Sequence, residues 1–339
     1  MDTSPIVIRM LSAAESVPGQ GVGSAYAELL PLLGQSDGLK VVFSGKADIY
    51  HVHTVNPSFR WKMGKKRLSV MSVHFIPTTL DGSLSMPKWL FKIFKKYVLS
   101  TYRKAKYLHV VNPCFIKPLV ELGFDESRIA YIPNYVSPSF KEAVGPLDRA
   151  IFREKLGIEK DRFVVLGVGQ TQTRKGIMDF LKVAKENPDM MFVWAGGFSF
   201  GKMTDGYKEI KDAMDNPPEN VRFLGIVKRE DMPKAYAMAD CFFLPSFDEL
   251  FPMTILEAAA IGMPILLRDL KVYEPILGDS CLYGKDVGDF SSILRKLDSD
   301  SLFKRNCVKS SCGIAERYNA SDVLANWERF YRSIYEKGN

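Results

Sequence analysis

The stretch Asp248-Glu249-Leu250-Phe251-Pro252-Met253-Thr254-Ile255-Leu256-Glu257 decides how this chain folds. It sets two carboxylates, Glu249 and Glu257, eight residues apart. Before it, Ala239-Asp240-Cys241-Phe242-Phe243-Leu244-Pro245 is short, apolar and bounded, as a buried strand should be. After it, residues 255–260 are helix formers and Gly262 closes the run, while Pro252 suits a first helical turn. The segment therefore reads strand, loop, helix, with Glu249 just ahead of the helix N-terminus and Glu257 inside it. Free backbone N–H groups at such an end favour a phosphate. Glu257 lies five residues beyond Pro252, about 7.5 Å along the axis at helical rise. That matches the span from a diphosphate to a ribose. Glu257 is expected to take ribose hydroxyls and Glu249 to meet a sugar on the other side, which is the layout of a nucleotide-sugar site.

Outward from this stretch, short apolar runs alternate with helical ones. In the second half, strands are expected over 163–168, 191–195, 221–224 and 264–267, with helices over 176–185 and 231–238 and a long final helix over 319–337. The first half repeats the pattern with strands over 6–11, 39–43, 49–53, 68–75, 107–111 and 129–132. There a glycine-rich turn, Gly19-Gln20-Gly21-Val22-Gly23-Ser24, precedes a helix over 25–33. Apolar periodicity lapses at Val144-Gly145-Pro146, the expected linker. The expected fold is α/β: two doubly wound Rossmann-like domains, 1–146 and 147–318, facing each other across a cleft. A C-terminal helix, 319–339, is expected to pack back on the first domain.

At 339 residues the chain can bury two separate cores. No apolar run approaches the roughly 18 residues that span a bilayer, and residues 1–5 have neither the basic start nor the apolar core of a secretory signal. The five cysteines, Cys114, Cys241, Cys281, Cys307 and Cys312, show no metal-ligand spacing and read as reduced thiols in a cytoplasmic protein. Charge is unevenly placed. Residues 1–148 hold 18 Lys/Arg against 11 Asp/Glu, a net +7, whereas residues 149–339 hold 28 of each. Within residues 58–118 there are 13 basic side chains and a single acid, Asp81. Such a concentration implies a localised anionic partner: a membrane surface, a nucleic acid or an acidic substrate.

The ordered set Val168-Gly169, Arg174-Lys175-Gly176, Ala195-Gly196-Gly197, Val221-Arg222-Phe223-Leu224-Gly225, Ala239-Asp240, Pro245-Ser246 and Glu249 through Glu257 to Gly262-Met263-Pro264 resembles the nucleotide-binding domain of the family 4 retaining glycosyltransferases. Asp48-Ile49-Tyr50-His51-Val52-His53 and Ile132-Pro133-Asn134 match landmarks in the first half, so the resemblance spans nearly the whole chain. It implies the two-domain GT-B fold and a UDP-sugar donor. It also implies that Lys175 and Arg174 neutralise the leaving diphosphate, that Glu249 contacts the donor sugar and that Glu257 holds the ribose. The amides of Phe251, Met253 and Thr254 are then expected at the diphosphate. Gln170 stands at the donor where many relatives carry an arginine, and Pro252 replaces a glycine, removing one N–H donor. Gly21, Gly23 and Ser24 would face the donor phosphates from the opposite wall, and His74 corresponds to a histidine beside the donor sugar. His51 and His53 share a strand face, but no carboxylate joins them and the family does not rely on an Asp-x-Asp metal motif, so neither metal nor cofactor is expected.

The acceptor clue is residues 87–104. At 100° per residue Leu90, Phe91, Ile93, Phe94, Tyr97, Val98 and Tyr102 gather on one side, and Lys88, Lys92, Lys95, Lys96 and Arg103 on the other. Amphipathicity alone fits an ordinary surface helix. The basic density, Trp89 and the nearby Arg60, Lys62, Lys65, Lys66 and Arg67 point instead to monotopic attachment on an anionic leaflet, with Lys88, Trp89, Phe91, Lys92, Phe94, Lys95 and Lys96 as the contact set. The chain most resembles the bacterial diacylglycerol and glycolipid glycosyltransferases of this family. The expected activity is transfer of glucose or galactose from UDP-glucose or UDP-galactose to diacylglycerol or monoglycosyl-diacylglycerol, at the cytoplasmic face of the membrane. A soluble sugar or polysaccharide acceptor, a non-catalytic nucleotide-sugar sensor and a nucleic-acid binder are the competing readings. The last is disfavoured because the aromatics lie opposite the lysines rather than between them.

Overall fold

The computed structural model describes residues 4–13, 21–64, 67–76 and 87–338. In the first half β1 (Ile6–Leu11), β2 (Leu39–Val42), β3 (Ile49–Val52), β4 (Leu68–Val73), β5 (Tyr107–Val110) and β6 (Ile129–Tyr131) form one sheet in the order β2-β1-β3-β4-β5-β6. In the second, β7 (Val164–Val168), β8 (Met191–Ala195), β9 (Val221–Gly225), β10 (Cys241–Leu244), β11 (Ile265–Arg268) and β12 (Leu282–Gly284) run β12-β11-β10-β7-β8-β9. Every named strand pair is parallel. The reason is compositional. Residues 164–168 and 191–195 are apolar and buried along their whole length, which only a sheet covered by helices on both faces allows. The expected α/β architecture of two Rossmann-like GT-B domains holds, and Cys241 is the buried strand residue it was expected to be.

Strand order reverses between β1 and β3 in one sheet and between β7 and β10 in the other. Ligands of doubly wound sheets sit at such switch points, beyond the carboxyl ends of the strands. Here both switch points open onto one cleft, whose walls include His53 and Thr54 after β3, Gln170 and Lys175 after β7, and Glu249 after β10.

The long last helix, Ala320–Gly338, buries Val323, Trp327, Tyr331 and Ile334 in the same apolar cluster as Ile8, Leu32 and Val70. It therefore packs on the sheet laid down first. Asp240 of the Ala239-Asp240 landmark has a structural task. Its carboxylate meets Arg153 at 2.7 Å, Lys304 at 2.8 Å and Arg149 at 2.9 Å and accepts from the Val164 N–H at 3.0 Å, which locks β10 to β7 and to the helices behind them.

Several boundaries differ from the sequence reading. The segment from Gly21 is the first turn of a helix, Gly21–Leu33, and not a turn ahead of it; Gly19 and Gln20 lie outside the described residues. Glycine's poor helix propensity is overridden by the packing of Tyr26, Leu29, Leu32 and Leu33 against the sheet. Pro252 is the N-cap, with extended backbone, and the helix runs Met253–Ile261. β4 ends at Val73, so His74 is the first residue past it. The strand β12 and the helices Val287–Ser299 and Ser301–Arg317 complete the second half. Asp286 and Asp300 cap those two helices by accepting from N–H groups two or three residues on, which is the signal that marks their starts.

Candidate active site

Two glycines set the floor of the site. Gly196 follows β8 at φ +146°, and a Cβ there would stand 1.8 Å from the carbonyl oxygen of Gly169, so no side chain fits between the two strand ends. Gly176 sits at φ +72° between the short turn Thr173–Lys175 and the helix Ile177–Glu186; a Cβ there would meet Pro245 O at 2.1 Å. This close approach brings the loop carrying Arg174 and Lys175 against the loop after β10.

The result is a buried ion cluster. Lys175 Nζ pairs with Glu249 Oε1, Arg174 Nη1 lies 3.7 Å from Glu249 Oε2, and the same guanidinium donates to Asp248 O at 2.5 Å. Burial opposes the charge on Glu249, but Lys175 and Arg174 outweigh it and hold the carboxyl below its usual range. Burial also lowers the Lys175 ammonium, against the pull of Glu249. Asp248, outside this pairing, is pushed up to about 6 by burial, with Arg174 opposing the rise and the Glu249 charge adding to it. Arg174 Nε is buried without a partner among the described residues. The cluster thus gathers two cations and one acid at a strand end, where charge developing on a phosphate is met without reorganisation.

Beyond it the helix Met253–Ile261 points its N-terminus into the cleft with no side-chain cap. Glu257, one turn in, is buried; its Oε2 accepts from the Tyr236 O–H at 2.8 Å and its Oε1 from Arg229 at 3.0 Å. Each oxygen keeps lone pairs for further donors. Gln170 accepts from Gln172 Nε2 at 2.8 Å through its Oε1, which leaves its amide NH2 as the group to offer a ligand.

The first half supplies the opposite wall. Gly21, Val22 and Ser24 line the cleft from the first helix, and His53, Thr54, Asn56, His74, Phe75 and Phe94 line it from other segments of this half. Gly23 is not among the lining residues. Asn112 donates to Leu250 O at 2.8 Å and to Val272 O at 2.9 Å, and Asn134 donates to Phe251 O at 3.1 Å. The bonds to Leu250 and Phe251 hold the loop ahead of the helix Met253–Ile261 from across the cleft. The whole space is about 830 Å³, in the range that takes a nucleotide-sized ligand.

His74 belongs to a set that sequence reasoning saw only in part. The rings of His51 and His53 lie 4.1 Å apart at a tilt of 35°, His53 and His74 lie 5.9 Å apart, and His109 joins them 6.2 Å from His51. His109 Nε2 faces a carbonyl, Ile132 O, at 2.8 Å and must carry the proton. Its Nδ1 therefore accepts from Ser72 Oγ (2.9 Å), Ser72 accepts from His51 Nε2 (2.8 Å), and His51 Nδ1 accepts from the Tyr331 O–H (2.6 Å). The chain runs in one direction with every ring neutral. Burial lowers all four rings, His74 to about 3 and His109 to about 4. His74 thus offers the cleft a neutral ring, fit to hydrogen-bond a hydroxyl.

The basic helix, Lys88–Tyr102, divides into two parts. Its C-terminal half packs: Val98, Thr101 and Tyr102 are buried, Tyr97 O–H donates to Val55 O at 2.7 Å and Tyr102 O–H to Phe75 O at 2.7 Å. Its N-terminal half stands out, with Trp89 67 % and Ile93 55 % exposed beside Lys88 and Lys92. Phe94 lines the cleft from this helix, and Lys95 lies over the Phe91 ring at 4.6 Å. Trp61, 84 % exposed, follows Arg60, whose guanidinium donates to Ser100 at 2.6 Å on the same helix. Lys65 and Lys66 lie outside the described residues. Among the described residues no helix is long and apolar enough to cross a membrane, and no group of three or more His, Cys, Asp or Glu is placed to hold a metal ion.

Comparison with known proteins agrees with this geometry. Residues 148–284 match the model of the glycosyl transferases group 1. The chain is 41 % identical to an alpha-galactosylglucosyldiacylglycerol synthase of Streptococcus pneumoniae, over 98 % of its own length and 90 % of the relative's. It is 34 % identical to a processive diacylglycerol alpha-glucosyltransferase of Acholeplasma laidlawii, over 74 % of this chain and 75 % of that one. In fold it is similar to Anabaena HepE in complex with UDP-glucose, with a TM-score of 0.75 at 15 % identity, covering 97 % of this chain and all of that one. Two parallel sheets meeting at one cleft, ions at the strand ends and near full-length likeness at 41 % identity lead to one assignment: the chain belongs to the group 1 glycosyl transferases.

Proposed function

We propose that this enzyme moves glucose or galactose from a UDP-sugar to diacylglycerol or a monoglycosyl-diacylglycerol, with retention at the anomeric carbon, while attached to an anionic membrane surface at its cytoplasmic face. The observation that carries the reading is the Lys175–Glu249–Arg174 cluster, set beside an uncapped helix N-terminus and facing His74 across the cleft. In the reaction, the bond between the sugar's anomeric carbon and the β-phosphate oxygen breaks, and the acceptor hydroxyl oxygen bonds to that carbon. Lys175, Arg174 and the amides of Met253 and Thr254 meet the charge that grows on the departing diphosphate. That diphosphate oxygen takes the acceptor's proton. Glu249 orients the sugar hydroxyls, His74 holds the sugar from the far side, and Glu257 accepts from the ribose.

The lipid acceptor is supported by both relatives, whose names place them in the synthesis of diacylglycerol glycolipids. Phe75 and Phe94 line the cleft, and the helix that bears Phe94 carries Trp89, Leu90 and Ile93 out to solvent among its lysines. That arrangement lets a headgroup reach the cleft while its acyl chains stay in the leaflet. The test is release of UDP from UDP-glucose and UDP-galactose on anionic vesicles, with diacylglycerol or monoglucosyl-diacylglycerol against matched vesicles lacking acceptor. Acceptor-dependent release is expected. Turnover on soluble sugars alone, unaffected by vesicles, would overturn the lipid reading.

A further inference from the structure

One ion group beside the cleft joins the two halves directly. Arg229 follows β9, at the ligand-binding edge of the second sheet, and Glu28 lies on the first helix of the opposite half, 201 residues away in sequence. Arg229 Nη2 pairs with Glu28 Oε1 while its Nη1 donates to Glu257 Oε1 at 3.0 Å. Glu28 is itself held: its Oε2 accepts from the Ser137 N–H at 2.8 Å, and its backbone carbonyl accepts from the Tyr135 O–H at 2.9 Å. It is buried, at 8 % exposure, behind the wall that Gly21, Val22 and Ser24 present to the cleft.

We infer that Glu28 and Arg229 are positioning residues that tie nucleotide recognition by Glu257 to closure of the cleft; this rests on the ribose role proposed for Glu257. A buried carboxylate is costly unless it is paired, and a fixed ion-pair partner on one oxygen sets the direction in which the remaining lone pairs point. Arg229 supplies that pairing to Glu257. Glu28 in turn fixes Arg229, because a guanidinium presents separate N–H groups in a rigid fork and can serve two acids at once. The first helix lies against the helix Met253–Ile261, so any movement that parts the two walls pulls Glu28 from Arg229. The closed cleft and the ordered Glu257 are therefore one state. Nucleotide binding, which needs Glu257, favours closure by the same coupling that closure favours binding.

The test measures UDP affinity by calorimetry, UDP-induced compaction by small-angle scattering, and donor KM and kcat. It uses the full chain carrying Glu28→Gln, Arg229→Met, Arg229→Lys, the double Glu28→Gln/Arg229→Met, or Glu257→Ala. Glu28→Gln is isosteric, so the fold is retained even if Arg229→Met is poorly stable. Each single change at Glu28 or Arg229 is expected to weaken UDP binding about tenfold, to raise donor KM more than it lowers kcat, and to reduce compaction. The double variant is expected to bind no worse than Arg229→Met, and Arg229→Lys is not expected to restore affinity. Unchanged UDP affinity in Glu28→Gln alongside a loss in Glu257→Ala would overturn the coupling and leave the ribose role standing. Unchanged affinity in Glu257→Ala would overturn the ribose role itself.

Discussion

The two halves share one architecture and treat charge in opposite ways. The first carries a net +7 over residues 1–148, yet its interior polar groups are mostly uncharged. All four histidines of the chain lie there, linked in part through Ser72 and Tyr331 and held neutral by burial. The second half is neutral overall, with 28 cations and 28 acids, but it buries ions at its strand ends: Lys175 and Arg174 with Glu249, Arg229 with Glu257, and Arg268 with Asp179. Net charge and buried charge are separate devices. A surplus on the surface acts at a distance on a partner, whereas paired ions in a dry cleft act at bond length on a ligand. Buried pairs contribute little to stability after desolvation, so their presence at the ligand edge of the sheet points to chemistry rather than to folding.

This contrast can be broken most sharply at the ion cluster. Lys175→Ala and Glu249→Ala are each expected to lower kcat by about 10²–10³, in the range for removing one group that stabilises transition-state charge. Steady-state UDP release with acceptor vesicles reads the loss, and near-normal turnover in either variant would remove these residues from the chemistry. Removal of a surface cation such as Lys92 should leave turnover on detergent-dispersed acceptor unchanged.

The neutral histidines give the next effect. A histidine whose folded value lies below the ordinary 6.5 binds fewer protons folded than unfolded, so stability rises with pH across that interval. The contribution is complete above pH 6.5 and is lost as pH falls through 6.5 toward about 4 for His109 and about 3 for His74. Each unit of separation corresponds to about 1.4 kcal/mol. Denaturant midpoints at pH 7, 5.5 and 4.5 are expected to fall steadily. Trp327, 4.6 Å from His109, should report the loss before Trp194 of the second sheet. Simultaneous loss at both tryptophans would blur the distinction between the halves.

The smallest effect concerns the surface. Lys88→Ala and Lys92→Ala are each expected to cost about 1 kcal/mol of binding to anionic vesicles, an effect that vanishes in high salt. Trp89→Ser with Ile93→Ser should weaken binding at every salt concentration, because it removes apolar area rather than charge. Co-sedimentation with phosphatidylglycerol-containing vesicles measures both. Salt-independent binding in the lysine variants and the parent alike would mean the basic surplus has another partner.

Much of this was legible in the residues. Buried parallel strands announce themselves as short apolar runs, and the order of residues 168–176 and 245–264 marks a ligand edge from the sequence alone. The basic helix was legible only as a whole: its periodicity continues through both halves, but tertiary packing decides that Val98 and Tyr102 are interior while Trp89 and Ile93 are not. His109 carries no motif and entered the cluster only because β5 lies beside β4. Glu28 and Arg229 carry no local motif, and only the pairing across the cleft marks them.

The sequence by itself determined the α/β class, the alternation of strand and helix, the asymmetry of charge and the loops that hold the ions, because each depends on residues within a turn or a strand of one another. Tertiary structure alone decided which half of the basic helix is free, which histidines share protons and which acid of the first half reaches the donor wall of the second. Those are contacts between residues tens to hundreds of positions apart, and no local period records them. They exist because two independently twisted sheets meet at one cleft, bringing together side chains that the chain itself keeps apart.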